Sequence, residues 1–479
     1  MLNTETSSKN ARDPVMNTNP VQKAGFTSLG DSRADAELTD QLSIMVDELV
    51  KLFGSDCSVL LAGGFGRGEG SIKILENGRI VPLQDFDTYV VSDVFVQEHL
   101  LNETKLRIRE RISQRLGFDV ARVGFRVDVE VISPEDLARL PPDISSYELK
   151  VASKVLYGLD KRSLIPLEKG DIALSSGAIT LFHRAIGLIR HVTPEMLTGA
   201  VPIPEEKRLG CVYECCKVFI EICTSFSLLG GFYTPSYRDR AYLFNKYYQQ
   251  CFPELWETLP SIPEDVRICT NAKLMSDFSG FNYPVKLWFD TRSSYLSCFK
   301  FFMNRFLSME SKTEDEQRYF GRVYRQLRRV FFREYLAHFL RNNGFKLNQL
   351  LPPAILFSQV YDNVRYVNQA KRIEGGYPSR LTFDWGSPIL KIFISALFLL
   401  LAIGDSGVVR EEYLDQVERI LSGIYPVRRK QSLTAEQRWT YLRDTCFKAH
   451  MLYFSRKPGK IGSFSITKLL KQKSRVRTR

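Results

Sequence analysis

The segment Val59–Val91 constrains the fold and the chemistry of this chain more than any other. It reads VLLAGGFGRGEGSIKILENGRIVPLQDFDTYVV, in which an apolar run is followed by a glycine-rich stretch and then by two aspartates. The apolar run Val59–Leu61 is typical of a buried strand, and Asp85 and Asp87 begin a second one. Because side chains two positions apart on a strand point to the same face, both carboxylates are predicted to project together, opposite Phe86.

Two adjacent carboxylates indicate a cation site, because they repel each other unless a positive charge lies between them. Mg²⁺ suits such a pair, since it binds one or two carboxylates and completes its shell with water and phosphate oxygens. The glycine-rich turn supplies backbone N–H groups that can approach a phosphate closely. Arg67 lies within this turn and offers several further donors to an anion.

The glycine spacing excludes two common phosphate loops. A dinucleotide fingerprint, G-x-G-x-x-G, fails because Glu69 or Ser71 stands where the last glycine belongs. A Walker loop fails because Gly70 is followed by Ser71 and Ile72 rather than by Lys and then Ser or Thr. The alternative that binds nothing is a glycine-rich hairpin turn beside an acidic strand edge, and the two aspartates that follow favour the binding site over it.

The order hydrophobic-Gly-Gly, then Asp-hydrophobic-Asp-hydrophobic, resembles the signature of the DNA polymerase beta-like nucleotidyltransferase superfamily. The fuller wording, GGFGRGEG followed by QDFDTYVV, resembles a subgroup in which such a domain is fused to a long helical region. The resemblance covers about residues 36 to 160 and, less closely, the helices between 175 and 252. It implies an α+β fold, with an N-terminal nucleotidyltransferase-type mixed sheet and flanking helices followed by a largely α-helical region. Phe65 departs from the pattern, since many members have a phosphate-binding serine there.

A third carboxylate is predicted on the strand Val123–Ile132. Its sequence, VGFRVDVEVI, alternates apolar and polar residues with a period of two. In the superfamily a third acid lies on such a strand beside the first pair, and the resemblance assigns this place to Asp128, with Glu130 as the second choice. The alternative is an exposed strand face on which Arg126 and Glu130 are cross-strand partners.

The resemblance implies two-metal nucleotidyl transfer. Asp85 and Asp87 would hold the ion that binds the triphosphate. Asp87 and Asp128 would share a second ion beside the acceptor hydroxyl, whose proton Asp128 could take. Two Mg²⁺ ions are the implied cofactors, with Mn²⁺ as an alternative. The implied reaction moves an NMP from an NTP to a hydroxyl- or amine-bearing acceptor and releases pyrophosphate.

The implied contacts to the triphosphate come from backbone and basic side chains. The backbone of Gly63 and Gly64 would cradle the β- and γ-phosphates, and Arg67 would neutralise their charge. Lys150 and Lys154 lie four apart on a predicted helix at the end of the first domain. Their amino groups either reach the same phosphates or stay solvated.

Composition and periodicity divide the chain into five segments. Apolar spacings of three and four predict helices, and four prolines within 253–290 predict a loop-rich connector. The predicted helices are 36–53, 95–116, 179–192, 205–229 and 237–252. The five segments are a disordered polar N-terminus (1–33), a nucleotidyltransferase domain (34–165), a helical domain (170–290), a second helical region (291–455) and a basic tail (456–479).

A row of arginines predicts a nucleic-acid contact. Arg318, Arg322, Arg325 and Arg329 recur at helical spacing, and the tail 456–479 contains basic but no acidic residues. In a chain of net charge +12, these residues could bind the phosphates of RNA or DNA. The alternative is a solvated helix face followed by a flexible tail.

Cysteine, histidine and apolar patterns bear on metals and compartment. Nine cysteines without a C-x-x-C pair argue against zinc and favour reduced core thiols in the cytoplasm. His183 and His191 are eight apart, too far for a helical metal pair, and are predicted to be structural. The longest apolar run, Ile392–Gly404, has 13 residues, fewer than the ~20 that a membrane span needs. The polar N-terminus shows no secretory leader.

Three functions are compatible with these features. The first is an active nucleotidyltransferase, and the second is a catalytically inactive relative that binds nucleotide or nucleic acid. The third is a basic interaction protein whose helical region makes the contacts. The intact acid pair favours the first, because a site that had lost its activity has little reason to keep two repelling charges.

Overall fold

The computed structural model shows an α+β protein with a small mixed sheet near the N-terminus and a long helical region after it. It describes residues 25–75, 77–83, 85–310, 315–343, 351–377, 387–427 and 433–454, with the backbone alone for residues 123, 335, 339–343 and 351–362. Residues 1–24 and the predicted basic tail lie outside the described residues.

Two small sheets organise the N-terminal part. The strands of the described residues are β1 (Ser58–Leu61), β2 (Ile72–Ile74), β3 (Ile80–Pro82), β4 (Phe86–Val91), β5 (Val127–Ile132) and β6 (Lys154–Tyr157). The larger sheet has the order β5-β4-β1-β6, in which β4 and β5 are parallel and β1 is antiparallel to both of its neighbours. β2 and β3 form a separate antiparallel pair. The parallel pair at one end of the larger sheet places the predicted acid strands side by side.

Five helices accompany the sheets in the described residues, and twelve more follow. The first group is α1 (Ser32–Phe53), α2 (Gly63–Arg67), α3 (Glu98–Leu116), α4 (Pro134–Leu137) and α5 (Ile144–Ala152). The second group is α6 (Leu174–Arg190), α7 (Pro194–Leu197), α8 (Glu205–Leu229), α9 (Tyr237–Cys251), α10 (Pro253–Thr258), α11 (Ile262–Met275), α12 (Pro284–Phe306), α13 (Glu316–Asn343), α14 (Leu351–Glu374), α15 (Pro388–Ala402), α16 (Glu411–Leu421) and α17 (Ala435–Phe454).

Helix α1 shows how the apolar pattern builds the N-terminal core. Leu38, Leu42 and Met45 are buried in one apolar cluster with Phe86 of β4. The side chain of Asp31 begins the helix by accepting a hydrogen bond from a backbone N–H of its first turn. The predicted helix 36–53 is confirmed and begins four residues earlier, at this cap.

Residues 25–33 are folded, so the predicted disorder of 1–33 is wrong over this part. Phe26 is buried, and its backbone N–H donates to Asp35 Oδ1 at 2.7 Å. Thr27 forms a β-bridge with Gly70 of the glycine-rich segment. A single buried aromatic in a polar stretch produces no periodic pattern from which this packing could be predicted.

The predicted loop-rich connector at 253–290 is also wrong, because this stretch forms α10, α11 and the start of α12. Pro253, Pro263 and Pro284 each lie in the first turn of one of these helices. Proline is well tolerated there, since the first-turn N–H groups have no partner within the helix. The prolines therefore mark where helices begin rather than where regular structure is lost.

The apolar cores of the two parts are separate. The helical region has one continuous core that extends from Ala178 to Leu452 and draws on both predicted helical segments. The sheet has its own clusters, the larger around α1 and α3 and the smaller around Leu60 and Leu137. Every residue of α15 is buried. Among the described helices, none is long and apolar enough to cross a membrane.

Candidate metal centre

Three aspartates converge at the edge where β4 and β5 lie side by side. Asp85 directly precedes β4, Asp87 is its second residue, and Asp128 of β5 is paired with Asp87 in the parallel register. One carboxylate oxygen from each lies within 4.8 Å of those from the other two. Phe86 points to the opposite face and is fully buried against Phe65 at a ring distance of 5.1 Å. Asp85 and Asp87 therefore project together, as the strand period predicts.

The electrostatics of this cluster favour a bound cation. Burial, followed by the charges of Asp85 and Asp128, raises the pKa of Asp87 to about 7. Burial and a hydrogen bond with Asp85 raise the pKa of Asp128. The ion-pair partner within the described residues is Arg126, whose Nη2 lies 3.6 Å from Asp85 and whose side chain is 69% exposed. Three carboxylates facing one solvated guanidinium fit the oxygen-rich set that Mg²⁺ binds.

Of the two candidates for the third acid, Asp128 is the member of this cluster. Glu130 lies two residues further along β5, where it is paired in register with Tyr89 and hydrogen-bonds its hydroxyl. The alternation of the strand placed both acids on one face, and the parallel register decided which of them meets Asp87.

The glycine-rich segment packs directly against the acids. Residues GGFGR form the short helix α2 rather than the predicted open turn. Gly63 has a φ of +64°, and a Cβ there would overlap the carboxylate of Asp87. The backbone N–H of Ala62 donates to the carbonyl of Asp87 at 2.7 Å. Glycine is thus required at position 63 because no side chain fits between α2 and the acid. Gly64 follows within the same helix, where a Cβ would come 3.3 Å from the carbonyl oxygen of Glu69.

Arg67 is committed to other protein groups. Its Nη1 binds Glu148 Oε2 at 2.5 Å, its Nε lies 3.5 Å from Glu69, and its guanidinium lies over the ring of Tyr237. Burial is the largest influence and lowers the pKa of Arg67, but Glu148, Tyr237, Glu69 and Tyr233 together outweigh it and raise the pKa. The side chain is 7% exposed. The predicted contact between Arg67 and a phosphate stays a prediction, and the observed role is within a buried ion-pair network.

Lys150 and Lys154 do not share a helix, so that prediction is wrong. Helix α5 ends at Ala152, and Lys154 begins β6, which pairs with β1. The β-prone run after Lys154 adds a strand to the sheet, and this tertiary pairing overrides a locally helical pattern. Lys150 Nζ donates to Glu168 at 2.8 Å, and Lys154 Nζ donates to the carbonyl of Gly66 at 3.0 Å. Both amino groups therefore have protein partners.

Glu69 is a residue whose role the sequence did not reveal. Its carboxylate accepts hydrogen bonds from Ser236 Oγ, from the backbone N–H of Tyr237 (both 2.9 Å) and from that of Arg238 (3.2 Å). These donors lie at the start of α9, where backbone N–H groups have no partner within the helix. An acid from the glycine-rich segment thus caps a helix of the other part of the molecule.

A second, half-buried carboxylate strengthens the same junction. Glu148 of α5 accepts a hydrogen bond from the hydroxyl of Tyr233 at 2.6 Å, in addition to its ion pair with Arg67. Arg240 of α9 is 2% exposed, lies 3.7 Å from Glu148 and donates to the carbonyl of Thr234. The glycine-rich segment that carries Arg67 and Glu69 lies far along the chain from Tyr233 and Arg240, and no sequence pattern links the two.

Two lysines of the helical region, neither of them predicted, lie in the same polar interface. Burial, followed by the charge of Arg184, lowers the pKa of Lys217 on α8, while the charge of Asp85 acts in the opposite direction. Lys273 on α11 is 3% exposed, and its Nζ lies 4.8 Å from the centre of the Tyr237 ring. That Nζ has no hydrogen-bond partner among the described residues. Burial, followed by nearby Lys217 and Arg67, lowers its pKa to about 7.

The predicted structural histidines lie away from these acids. His183 is surrounded by the rings of Phe393, His450 and Phe454 at distances of 5.0 to 5.6 Å. Burial is the largest cause that lowers the pKa of His191. Over the described residues, the three aspartates are the one group of acids, cysteines and histidines arranged closely enough to hold a metal ion.

No protein-family model, no curated protein and no solved structure matches this chain. The functional assignment therefore depends on the motif and on the geometry of the three aspartates.

Proposed function

We propose that this protein is a metal-dependent nucleotidyltransferase that moves an NMP from an NTP to a hydroxyl- or amine-bearing acceptor and releases pyrophosphate. The observation that carries the proposal is the convergence of Asp85, Asp87 and Asp128, whose oxygens lie within 4.8 Å of one another on adjacent strands. The glycine-rich helix beside Asp87 leaves no side chain over this acid. Both features are what the resemblance to nucleotidyltransferases implies.

In this proposal the three aspartates hold two Mg²⁺ ions, or Mn²⁺ in their place. When bound, the metal neutralises the triphosphate and lowers the pKa of the acceptor hydroxyl. The acceptor oxygen attacks the α-phosphorus, the bond from this phosphorus to the leaving pyrophosphate breaks, and Asp128 accepts the acceptor's proton. Burial and the hydrogen bond with Asp85 raise the pKa of Asp128, which favours proton uptake by this carboxylate.

The helical region contributes positive charge to the triphosphate side of the site. The charges of Lys217 and Asp85 act on each other across the junction between the two parts. Phosphate oxygens bound at the aspartates would be attracted to this lysine, and this attraction would orient the leaving pyrophosphate. The protein is proposed to act in the cytoplasm, because its nine cysteines form no disulfide.

The second candidate is a catalytically inactive relative that binds nucleotide or nucleic acid. Three closely spaced carboxylates disfavour it, because their repulsion destabilises the fold unless a cation is bound. A nucleic-acid partner is nevertheless compatible with both candidates.

The test is label transfer from each of the four α-labelled NTPs in the presence of Mg²⁺ or Mn²⁺, with a cell extract as the source of acceptor. Wild-type protein is compared with Asp85→Ala and Asp87→Ala. Asp93→Ala, an exposed aspartate just after β4, is the matched control. We expect wild type and Asp93→Ala to label a product and the two site variants to lose at least about 100-fold, since charge stabilisation by the metal is lost.

Extract without added protein is the blank for this assay. Equal labelling by wild type and both site variants would rule out the proposed site. NTP binding by the wild type that depends on Asp87, without transfer to any component, would instead favour the inactive relative.

A further inference from the structure

Helix α13 carries a row of exposed arginines that nucleotidyl transfer does not use. Arg318, Arg325, Arg329 and Arg333, called the arginine row below, are exposed to solvent. Their spacings of seven, four and four residues place them on one face of the helix. At a rise of 1.5 Å per residue the row is about 22 Å long. Arg322, which the sequence also assigned to this face, is half-buried and donates to the carbonyl of Glu310.

Among the described residues, no acidic side chain neutralises the charge of the arginine row. Its four guanidinium groups form no ion pair with any residue that the structure describes. The two acids of α13 are occupied elsewhere, since Glu316 pairs with Lys300 at 2.5 Å and Glu334 hydrogen-bonds Ser175. The face is therefore a concentrated positive charge in a chain that already has a net charge of +12.

The other face of α13 is already occupied by the protein core. Phe320, Val323 and Leu327 are fully buried in the core of the helical region. A helix that lies in a membrane surface needs a free apolar face to insert among the lipids. Among the described side chains of α13 this buried face leaves none, so the arginine row favours a soluble polyanion over a lipid surface.

We propose that the arginine row binds the phosphodiester backbone of a nucleic-acid strand. Arginine presents a planar fork of donors that contacts phosphate through two parallel hydrogen bonds. Four such groups along one rigid helix meet successive phosphates, and each contact releases counterions from the strand. This inference does not depend on the proposed transfer reaction, because binding needs neither NTP nor metal.

The test measures the affinity of the full-length chain for fluorescent single-stranded RNA, single-stranded DNA and duplex DNA over a range of salt concentrations. The row-deleted variant replaces all four members of the arginine row by Ala. A control variant removes the same amount of charge from other exposed surfaces by replacing Lys73, Arg122, Lys169 and Arg419 with Ala. All substituted positions are exposed, so both variants should fold, and circular dichroism verifies this.

We expect the row-deleted variant to bind the oligonucleotides more than about tenfold more weakly than the control variant does. The slope of log affinity against log salt concentration should fall in magnitude by about 3, because each lost phosphate contact lowers the magnitude of this slope by about 0.7 to 0.9. The three oligonucleotides show which form of strand the row prefers. Equal weakening in both variants would overturn the proposal, because net charge alone would then explain binding. Absence of binding, or row-dependent binding to anionic phosphatidylserine vesicles alone, would overturn it as well.

Discussion

Asp87 is the residue at which the features of the candidate site meet. Its carbonyl oxygen fixes Ala62, its carboxylate occupies the space that a side chain at Gly63 would need, and its register partner is Asp128. This crowding of negative charge has a pH signature. The folded protein holds a proton on Asp87 up to a pH of about 7, whereas an ordinary aspartate releases it near 3.8.

The sign of the effect on stability follows from that difference. Between pH 3.8 and about 7 the folded state binds more protons at Asp87 than the unfolded chain does. The free energy of unfolding contributed by this group therefore falls as pH rises through this window. Above the window the folded protein bears the whole loss of stability that comes from charging Asp87. A divalent cation binds the deprotonated cluster and offsets this loss.

We therefore expect about 10 mM MgCl₂ to raise the melting temperature more at pH 8 than at pH 5. In Asp87→Asn the cluster loses a charge, so Mg²⁺ should raise the melting temperature only slightly at both pH values. Thermal unfolding of the two proteins, with Asp93→Asn as the exposed control, measures this. A gain from Mg²⁺ that is unchanged in Asp87→Asn would mean that the ion binds elsewhere.

Helices α2 and α9 are joined by an acid that belongs to neither helix. Glu69 follows α2 in sequence and accepts two backbone N–H groups from the start of α9, together with the hydroxyl of Ser236. A carboxylate at a helix N-terminus is favoured both by these hydrogen bonds and by the helix dipole. Glu69 is also 6% exposed, which strengthens the interaction.

We expect Glu69→Gln to lower the free energy of unfolding by about 2 kcal/mol, because the charge-assisted hydrogen bonds lose their charge and one acceptor oxygen. Urea denaturation at neutral pH measures the change. Glu98→Gln is the matched control, since Glu98 is an exposed acid in the first turn of α3. A loss no larger than that of Glu98→Gln would show that the contact between Glu69 and α9 adds nothing to stability.

The molecule as a whole consists of a sheet part and a helical part, whose separate apolar clusters meet through largely buried charge. The clusters around the sheet and the core of the helical region share no residue. Between them lie Arg67, Glu69, Glu148, Arg240 and Lys273, which contact one another or the ring of Tyr237. A polar junction of this kind fixes relative orientation through specific hydrogen bonds, whereas apolar contact is less directional.

Lys273 is the member of this junction whose burial is expected to lower the stability of the fold most. Its folded pKa is about 7, against an ordinary value of 10.5, because burial disfavours the charged form. As pH falls from 10.5 toward 7 the unfolded chain binds a proton that the folded protein does not, so stability decreases. Below about pH 7 the whole loss of stability from burying this ammonium is present, and above pH 10.5 it is absent.

We expect Lys273→Met to raise the free energy of unfolding near pH 6.5 by at most about 5 kcal/mol, and to have little effect near pH 10. Methionine keeps most of the apolar stem, so the packing changes little. Denaturation at both pH values, with exposed Lys246→Met as the control, measures the difference. A variant that loses stability at pH 6.5 would show that the ammonium is stabilised by its contact with Tyr237.

Local patterns predicted much of the secondary structure. Helix α8 has the bounds that apolar spacing predicts, and the alternating strand that carries Asp128 forms as β5. The pattern failed where local signals were ambiguous, as at the prolines that begin α10, α11 and α12 and at Lys154. In each case the chain's contacts with other elements selected among conformations that the local sequence allows.

The sequence by itself determined that Asp85 and Asp87 share a face and that glycine lies beside them, because the strand period and the missing Cβ are local properties. Only the tertiary structure decided that Asp128 rather than Glu130 completes the cluster, since the register between β4 and β5 is a contact between distant segments. The same holds for Glu69, whose partners lie 167 to 169 residues away. A local pattern specifies which face a side chain occupies, but its partner across the fold is specified only when the cores have packed.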